Sequence, residues 1–238
     1  MNREYHRWYS PSLGRDMEML IFGHAGARLL VFPTSKGKFY EWEDRGMMEA
    51  MGEAIENGWL QVFCVDSVDE ESWYARWKWP GDRAWRQTQY DNYLRTEVYP
   101  LTQKNPNPFF MVTGASFGAY HAVNFAFRYP DLVGRVLALN GLYDISDWTD
   151  GHHDNNVYFN NPVEFVRNEH DPARLAQMKN MDIILVTSEN ETLRGETERF
   201  SQILWDQGIW HALRIWNGWA HDWPYWKQMI GLYLNGAD

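Results

Sequence analysis

A chain of 238 residues, 45% of them hydrophobic, can bury one sizeable core, and α/β folds reach this length as a single domain. A net charge of −10 works against phosphate backbones and anionic lipid, so nucleic-acid and membrane-surface roles are not expected. The single cysteine, Cys64, excludes an intrachain disulfide framework and a cysteine zinc cluster, and no apolar run approaches the ~18 residues of a spanning helix.

The first ten residues are polar and aromatic with no apolar signal core, so a cytoplasmic protein is the expectation. Residues 5–9 and 17–22 then read as a hairpin through the turn residues 11–14, and 28–33 is a further apolar run. Met47, Met48, Met51 and Ile55 give residues 42–55 helical spacing, closed by Asn57 and Gly58. Leu60–Val65 is the next strand, with Cys64 as a small buried hydrophobe. Residues 90–101 read as a helix, 105–108 as a turn and 109–113 as a strand running into Gly114. A helix over Phe117–Arg128 stops at Tyr129 and Pro130. Arg135–Leu139 and 182–187 are buried strands, 196–207 is helical, Ala212–Trp216 is the last strand and 223–234 a C-terminal helix.

Apolar strands alternating with helices are the pattern of a mostly parallel sheet covered on both faces, so the expected class is a single α/β domain. Residues 140–180 break the rhythm after the third core helix: they are polar, with Asp-Gly, Asn-Asn and Asn-Pro pairs. They read as a short excursion over the sheet edge and not as a second domain.

Gly114-Ala115-Ser116-Phe117-Gly118 fits the G-x-S-x-G nucleophile elbow. The pattern has a mechanical cause. A serine on a tight strand-to-helix turn is lifted clear of the sheet, and glycines two before and two after it let strand and helix approach. The apolar strand before it and the helix after it supply the required context. The hydroxyl also lies at a helix N-terminus, which favours developing negative charge.

A hydroxyl nucleophile needs a base, and the base an orienting acid. In this architecture the order is Ser, then Asp or Glu, then His. His221 is the single histidine after the last strand. After the preceding strand there is no aspartate, only Glu189 and Glu191. On an extended segment both would point the same way, so alternation does not choose between them.

The elbow, continued by Ala119-Tyr120-His121-Ala122, together with Gly218-Trp219-Ala220-His221-Asp222-Trp223-Pro224-Tyr225-Trp226, resembles the putative-esterase group of α/β-hydrolases. That group includes esterase D (S-formylglutathione hydrolase), enterochelin esterase, feruloyl esterases and mycolyltransferases. Residues 31–37 and the Val65-Asp66-Ser67 and Ser72-Trp73 pieces extend the likeness to nearly the whole chain. The resemblance implies that the acid follows a short turn at Ser188, which points to Glu191, where Asp is commoner in the family. It implies an oxyanion hole from the backbone N–H of Phe117 and a second N–H after the strand ending at Phe32, assigned to Ser35 over Thr34 or Lys36.

Other candidates carry less. Gly151-His152-His153-Asp154 has metal-ligand residue types, but adjacent side chains diverge, so a solvated turn is expected and no metal or cofactor. His121 and His24 read as structural and turn residues. Aromatic residues make up 16% of the chain, and Trp73 and Trp223 are the candidates to wall a substrate pocket. The expected function is a serine carboxylic-ester hydrolase on a small-molecule ester, leaving a homodimer open. The alternatives are an acyltransferase with the same triad, separable by adding acceptor alcohols, and a non-catalytic carbohydrate- or ligand-binding protein, which a fluorophosphonate probe would not label.

Overall fold

The computed structural model describes residues 1–234. The chain opens on an antiparallel hairpin of β1 (Arg3–Ser10) and β2 (Arg15–Phe22), turned at Gly14, whose φ of 66° suits glycine. β3 (Ala27–Phe32) and β4 (Leu60–Val65) flank three short helices, α1 (Glu41–Asp44), α2 (Met47–Ala50) and α3 (Gly52–Glu56). The spacing over 42–55 predicts one helix. The chain breaks it at Gly46, which takes φ 70°, and again at Met51, where φ is −105° and ψ 3°, while the apolar side chains Trp42, Met47, Met48, Met51 and Ile55 are still buried together.

α4 (Pro80–Tyr93) starts ten residues before the expected helix, with Pro80 as its first residue. It runs on through a π-helical turn (Leu94–Val98) into α5 (Tyr99–Thr102). β5 (Phe110–Ala115), α6 (Phe117–Arg128) and β6 (Arg135–Leu139) follow. The polar stretch after β6 folds as a 3-10 turn (Ser146–Trp148), α7 (Asn155–Phe159), α8 (Pro162–Phe165) and α9 (Pro172–Asn180). β7 (Asp182–Ser188), α10 (Arg194–Asp206), β8 (Ala212–Trp216) and α11 (Trp223–Tyr233) complete the fold.

One sheet of eight strands results, in the order β1-β2-β4-β3-β5-β6-β7-β8. The first two strands pair antiparallel, β2 with β4 likewise, and the rest are parallel. Alternate residues of each strand feed opposite cores. Leu30, Phe32, Val112, Ala138 and Leu185 pack with Tyr90, Ala122, Phe125 and Phe200 on one face. Leu29, Val31, Met111, Leu137 and Ile184 pack with Trp42, Met47, Trp226 and Ile230 on the other.

The excursion runs from the end of β6 to the start of β7. It lies on α4 and α6: Tyr120 Oη donates to the Asn160 carbonyl at 2.8 Å, Asn124 Nδ2 to Asn160 Oδ1 at 3.1 Å, and Asn160 Nδ2 to Thr88 Oγ1 at 2.9 Å. Its polar residues are therefore anchors to the helical layer. Among the described residues no helix is long and apolar enough to cross a membrane.

Candidate active site

Parallel strands bring their C-terminal ends to one edge of the sheet, and the turns after β3, β5, β7 and β8 meet there. Ser116 follows β5 with φ 56° and ψ −120°, and the helix begins at the next residue. The glycines explain why the turn closes. A Cβ on Gly114 would lie 2.2 Å from the Gly118 carbonyl carbon, and one on Gly118 would lie 2.5 Å from the Pro33 carbonyl oxygen. Backbone meets backbone at both places, so no rotamer change could make room. Ser116 N–H donates to the Leu139 carbonyl at 2.8 Å, which pins the elbow to β6.

Glu191 follows β7 in a turn, its N–H donating to Ser188 O at 3.2 Å. The turn separates the two glutamates. Glu191 is buried, with Oε2 2.8 Å from His221 Nδ1 and Oε1 accepting Leu193 N–H at 3.0 Å. Glu189 is exposed and accepts the Gly218 N–H at 3.0 Å. Alternation failed to choose because the segment is not extended. Nδ1–H donating to a carboxylate leaves the imidazole lone pair on Nε2. The His221 loop is fixed from below: Asn190 N–H donates to Gly218 O at 2.8 Å, Ala220 N–H to Ser188 Oγ at 3.1 Å, and Asp222 caps α11 through Trp223 N–H at 2.7 Å. Ser116 and His221 share no hydrogen bond in this structure, a contact that commonly tightens only with substrate in place.

The loop after β3 supplies backbone donors. Thr34 N–H is taken by Glu41 Oε2 at 2.7 Å, Lys36 N–H by Asp69 Oδ2 at 2.8 Å, and Gly37 N–H by Thr34 O at 2.8 Å. Among the described residues the Ser35 N–H has no such acceptor. Phe117 N–H opens α6, where no intrahelical partner exists.

Trp73 does not line a pocket. It is fully buried, its Nε1–H donating to Tyr120 Oη at 3.0 Å, because the turn after β4 drives it under α6. The half-buried rings beside the elbow are Tyr74 and Trp148, packed on Phe117 at 5.1 and 5.6 Å between centroids. Trp223 is half-buried, edge-on to Trp42 at 6.3 Å and 5.6 Å from the Arg45 guanidinium. His152 and His153 turn to separate carboxylates, Asp154 at 3.2 Å and Glu164 at 2.7 Å. Among the described residues no cluster of three or more His, Cys, Asp or Glu is placed to hold a metal.

Another serine–histidine pair is hydrogen-bonded directly, Ser201 Oγ with His211 Nε2 at 2.6 Å. Both residues are buried and Nδ1 faces the Ile209 carbonyl at 3.1 Å in place of a carboxylate. Burial also holds the imidazole below its ordinary pKa, so this pair is a poor base. Reading the sequence missed Glu41, Asp69 and Tyr74. Asp69 lies only a few residues past the end of β4, where sheet ligand sites form, and that position was its one available signal.

A family model described as "Putative esterase" matches residues 39–230. No curated protein matches the sequence at a significant level. Solved structures share the fold. A ferulic acid esterase superposes with TM-score 0.78 at 19% identity, over 98% of this chain and 96% of that one. An S-formylglutathione hydrolase from Staphylococcus aureus gives 0.73 at 15%, over 98% and 97%. The Mycobacterium tuberculosis protein MPT51 gives 0.74 at 17%, over 100% and 98%. With the family match spanning most of a sheet of this order, the chain belongs to the putative esterase family and is a carboxylic ester hydrolase on the α/β-hydrolase fold.

Proposed function

We propose that the protein hydrolyses a small-molecule carboxylic ester through an acyl-enzyme on Ser116, with His221 as general base and Glu191 orienting it. The observation that carries this is the 2.8 Å contact of His221 Nδ1 with a buried Glu191, in the turns that follow β7 and β8 on the edge where β5 presents Ser116. His221 Nε2 takes the Ser116 proton as Oγ attacks the ester carbonyl. The oxyanion is met by the N–H groups of Phe117 and Ser35 at the positive end of α6. His221 then returns the proton to the departing alkoxide, and the same base activates the water that frees the acid.

Tyr74 and Trp148, packed on Phe117 next to the serine, make an aromatic approach that suits an ester with a flat or bulky acyl or alcohol part, and Trp223 stands two residues past His221. Two of the structural neighbours are a ferulic acid esterase and an S-formylglutathione hydrolase, and these supply the first compounds to try. The test is a panel of p-nitrophenyl, feruloyl and thiol esters graded by acyl size, with Ser116→Ala beside the wild type. Turnover and fluorophosphonate labelling should both vanish in the variant and be indifferent to chelators. Turnover surviving in Ser116→Ala would move the nucleophile elsewhere.

A further inference from the structure

Behind the loop that carries Ser35 lies a buried ionisable pair that the chemistry above does not use. Asp69 is fully buried, and Oδ1 stands 2.8 Å from His121 Nε2 while Oδ2 accepts the Lys36 N–H at 2.8 Å. His121 is 2% exposed, its ring boxed by Phe32, Tyr90, Phe117 and Tyr120 at centroid distances of 5.1 to 5.9 Å. Gln87 Nε2 approaches Nδ1 at 3.4 Å. Lys36 is held at φ 58°, a conformation that a lysine adopts only under restraint. The turn after Asp69 grips the same loop again, since Tyr74 Oη donates to Ser35 Oγ at 2.8 Å and Tyr74 N–H donates to Asp69 O at 2.9 Å.

His121 stands one helical turn beyond Phe117, on the same face of α6. The hydrogen-bonded path therefore runs from the helix carrying one oxyanion donor, through His121 and Asp69, to the peptide next to the other. We propose that the Asp69–His121 pair is a positioning device that sets the separation of the Phe117 and Ser35 N–H groups. The inference rests on the oxyanion assignment made above. Donors aimed at the tetrahedral oxygen act on the transition state and little on the bound ester. Losing the link should thus lower kcat and leave KM nearly unchanged.

Hydrogen bonding, not charge, is the part Asp69 plays. Asparagine can accept from Lys36 N–H through Oδ1 and donate through Nδ2 to His121 once the ring takes its other tautomer. The experiment compares Asp69→Ala, Asp69→Asn and His121→Phe, the last keeping a ring in the aromatic box. It reads kcat and KM on a p-nitrophenyl ester and the inhibition constant of a trifluoromethyl ketone, whose adduct on Ser116 places an oxyanion in the hole. We expect Asp69→Ala and His121→Phe to lose about 10- to 100-fold in kcat, less than the 10²–10³ of a deleted donor. KM should stay within about threefold, and ketone affinity should fall in step with kcat/KM. Asp69→Asn should recover most of both. Folded variants with wild-type kcat and ketone affinity overturn the proposal. So does failure of both Asp69→Ala and His121→Phe to fold at 25 °C, which would make the pair a support of the core. A wild type that neither turns over esters nor labels at Ser116 would instead sink the oxyanion assignment itself.

Discussion

Ser116 sits where φ 56° and ψ −120° press an L-residue's Cβ against its own backbone. Such strain typically stores about 1–3 kcal/mol, against about 0.5–1 kcal/mol of unfolded-state entropy that a glycine brings. Strain is the larger of the two. Ser116→Gly should therefore be more stable than Ser116→Ala by about 1 kcal/mol in urea unfolding, with both inactive. Equal midpoints would mean that the strain is no larger than the entropy cost of the glycine, and a less stable Ser116→Gly would mean that the elbow holds little strain. The acid gives a sharper contrast. Glu191→Gln leaves His221 without its carboxylate and should lower turnover by about 10⁴. Glu189→Gln keeps an oxygen for Gly218 N–H and should be mild. Glu191→Asp withdraws the carboxylate by one methylene and should fall between. A reversal of Glu189 and Glu191 in this series would give the triad a different acid.

Strand and helix meet in the elbow through two glycines, and their neighbours cannot give way. Gly118→Ala would drive a methyl group into Pro33 O, which begins the Ser35 loop, so activity should drop along with several degrees of melting temperature. Retention of wild-type kcat in that variant would show that the loop moves freely. Trp73→Phe, in contrast, removes a buried indole hydrogen bond to Tyr120 and should lower stability by about 1–3 kcal/mol without changing ester preference. Most of the elements were readable because their apolar periods are strong: Phe117–Arg128, Arg135–Leu139 and Ala212–Trp216 fall where the pattern puts them. What escaped was decided by contacts distant in sequence. The first part of α4 is polar on its outer face and was announced only by Pro80. Trp73 reads the same in a core as in a pocket wall. Asp69 and Glu41 become part of the site only because the β3 loop folds onto them.

Across the whole molecule, stability should depend on pH through a carboxyl at the C-terminal end of β4. Asp66 is 2% exposed, and its Oδ1 has no hydrogen-bond partner among the described residues. Burial lifts its pKa from 3.8 to about 6, and Lys38, Arg15 and the N–H groups of Ser67 and Phe39 offset only part of that. The folded value lies above the unfolded one, so the folded chain holds its proton longer. Below pH 3.8 both states are protonated and the group brings no penalty. Between there and pH 6 the unfolded chain ionises first and stability falls. Above pH 6 the full penalty is present, about 3 kcal/mol at 1.36 kcal/mol per pKa unit. Asp66→Asn keeps an oxygen for both N–H donors and has no proton to lose. All other groups titrate alike in the two proteins, so the difference between their unfolding free energies isolates this carboxyl. In urea titrations from pH 4 to pH 8 that difference should move in favour of Asp66→Asn as pH rises, levelling off above pH 6. A difference that stays flat across the range would place the Asp66 carboxylate in contact with water and remove the penalty.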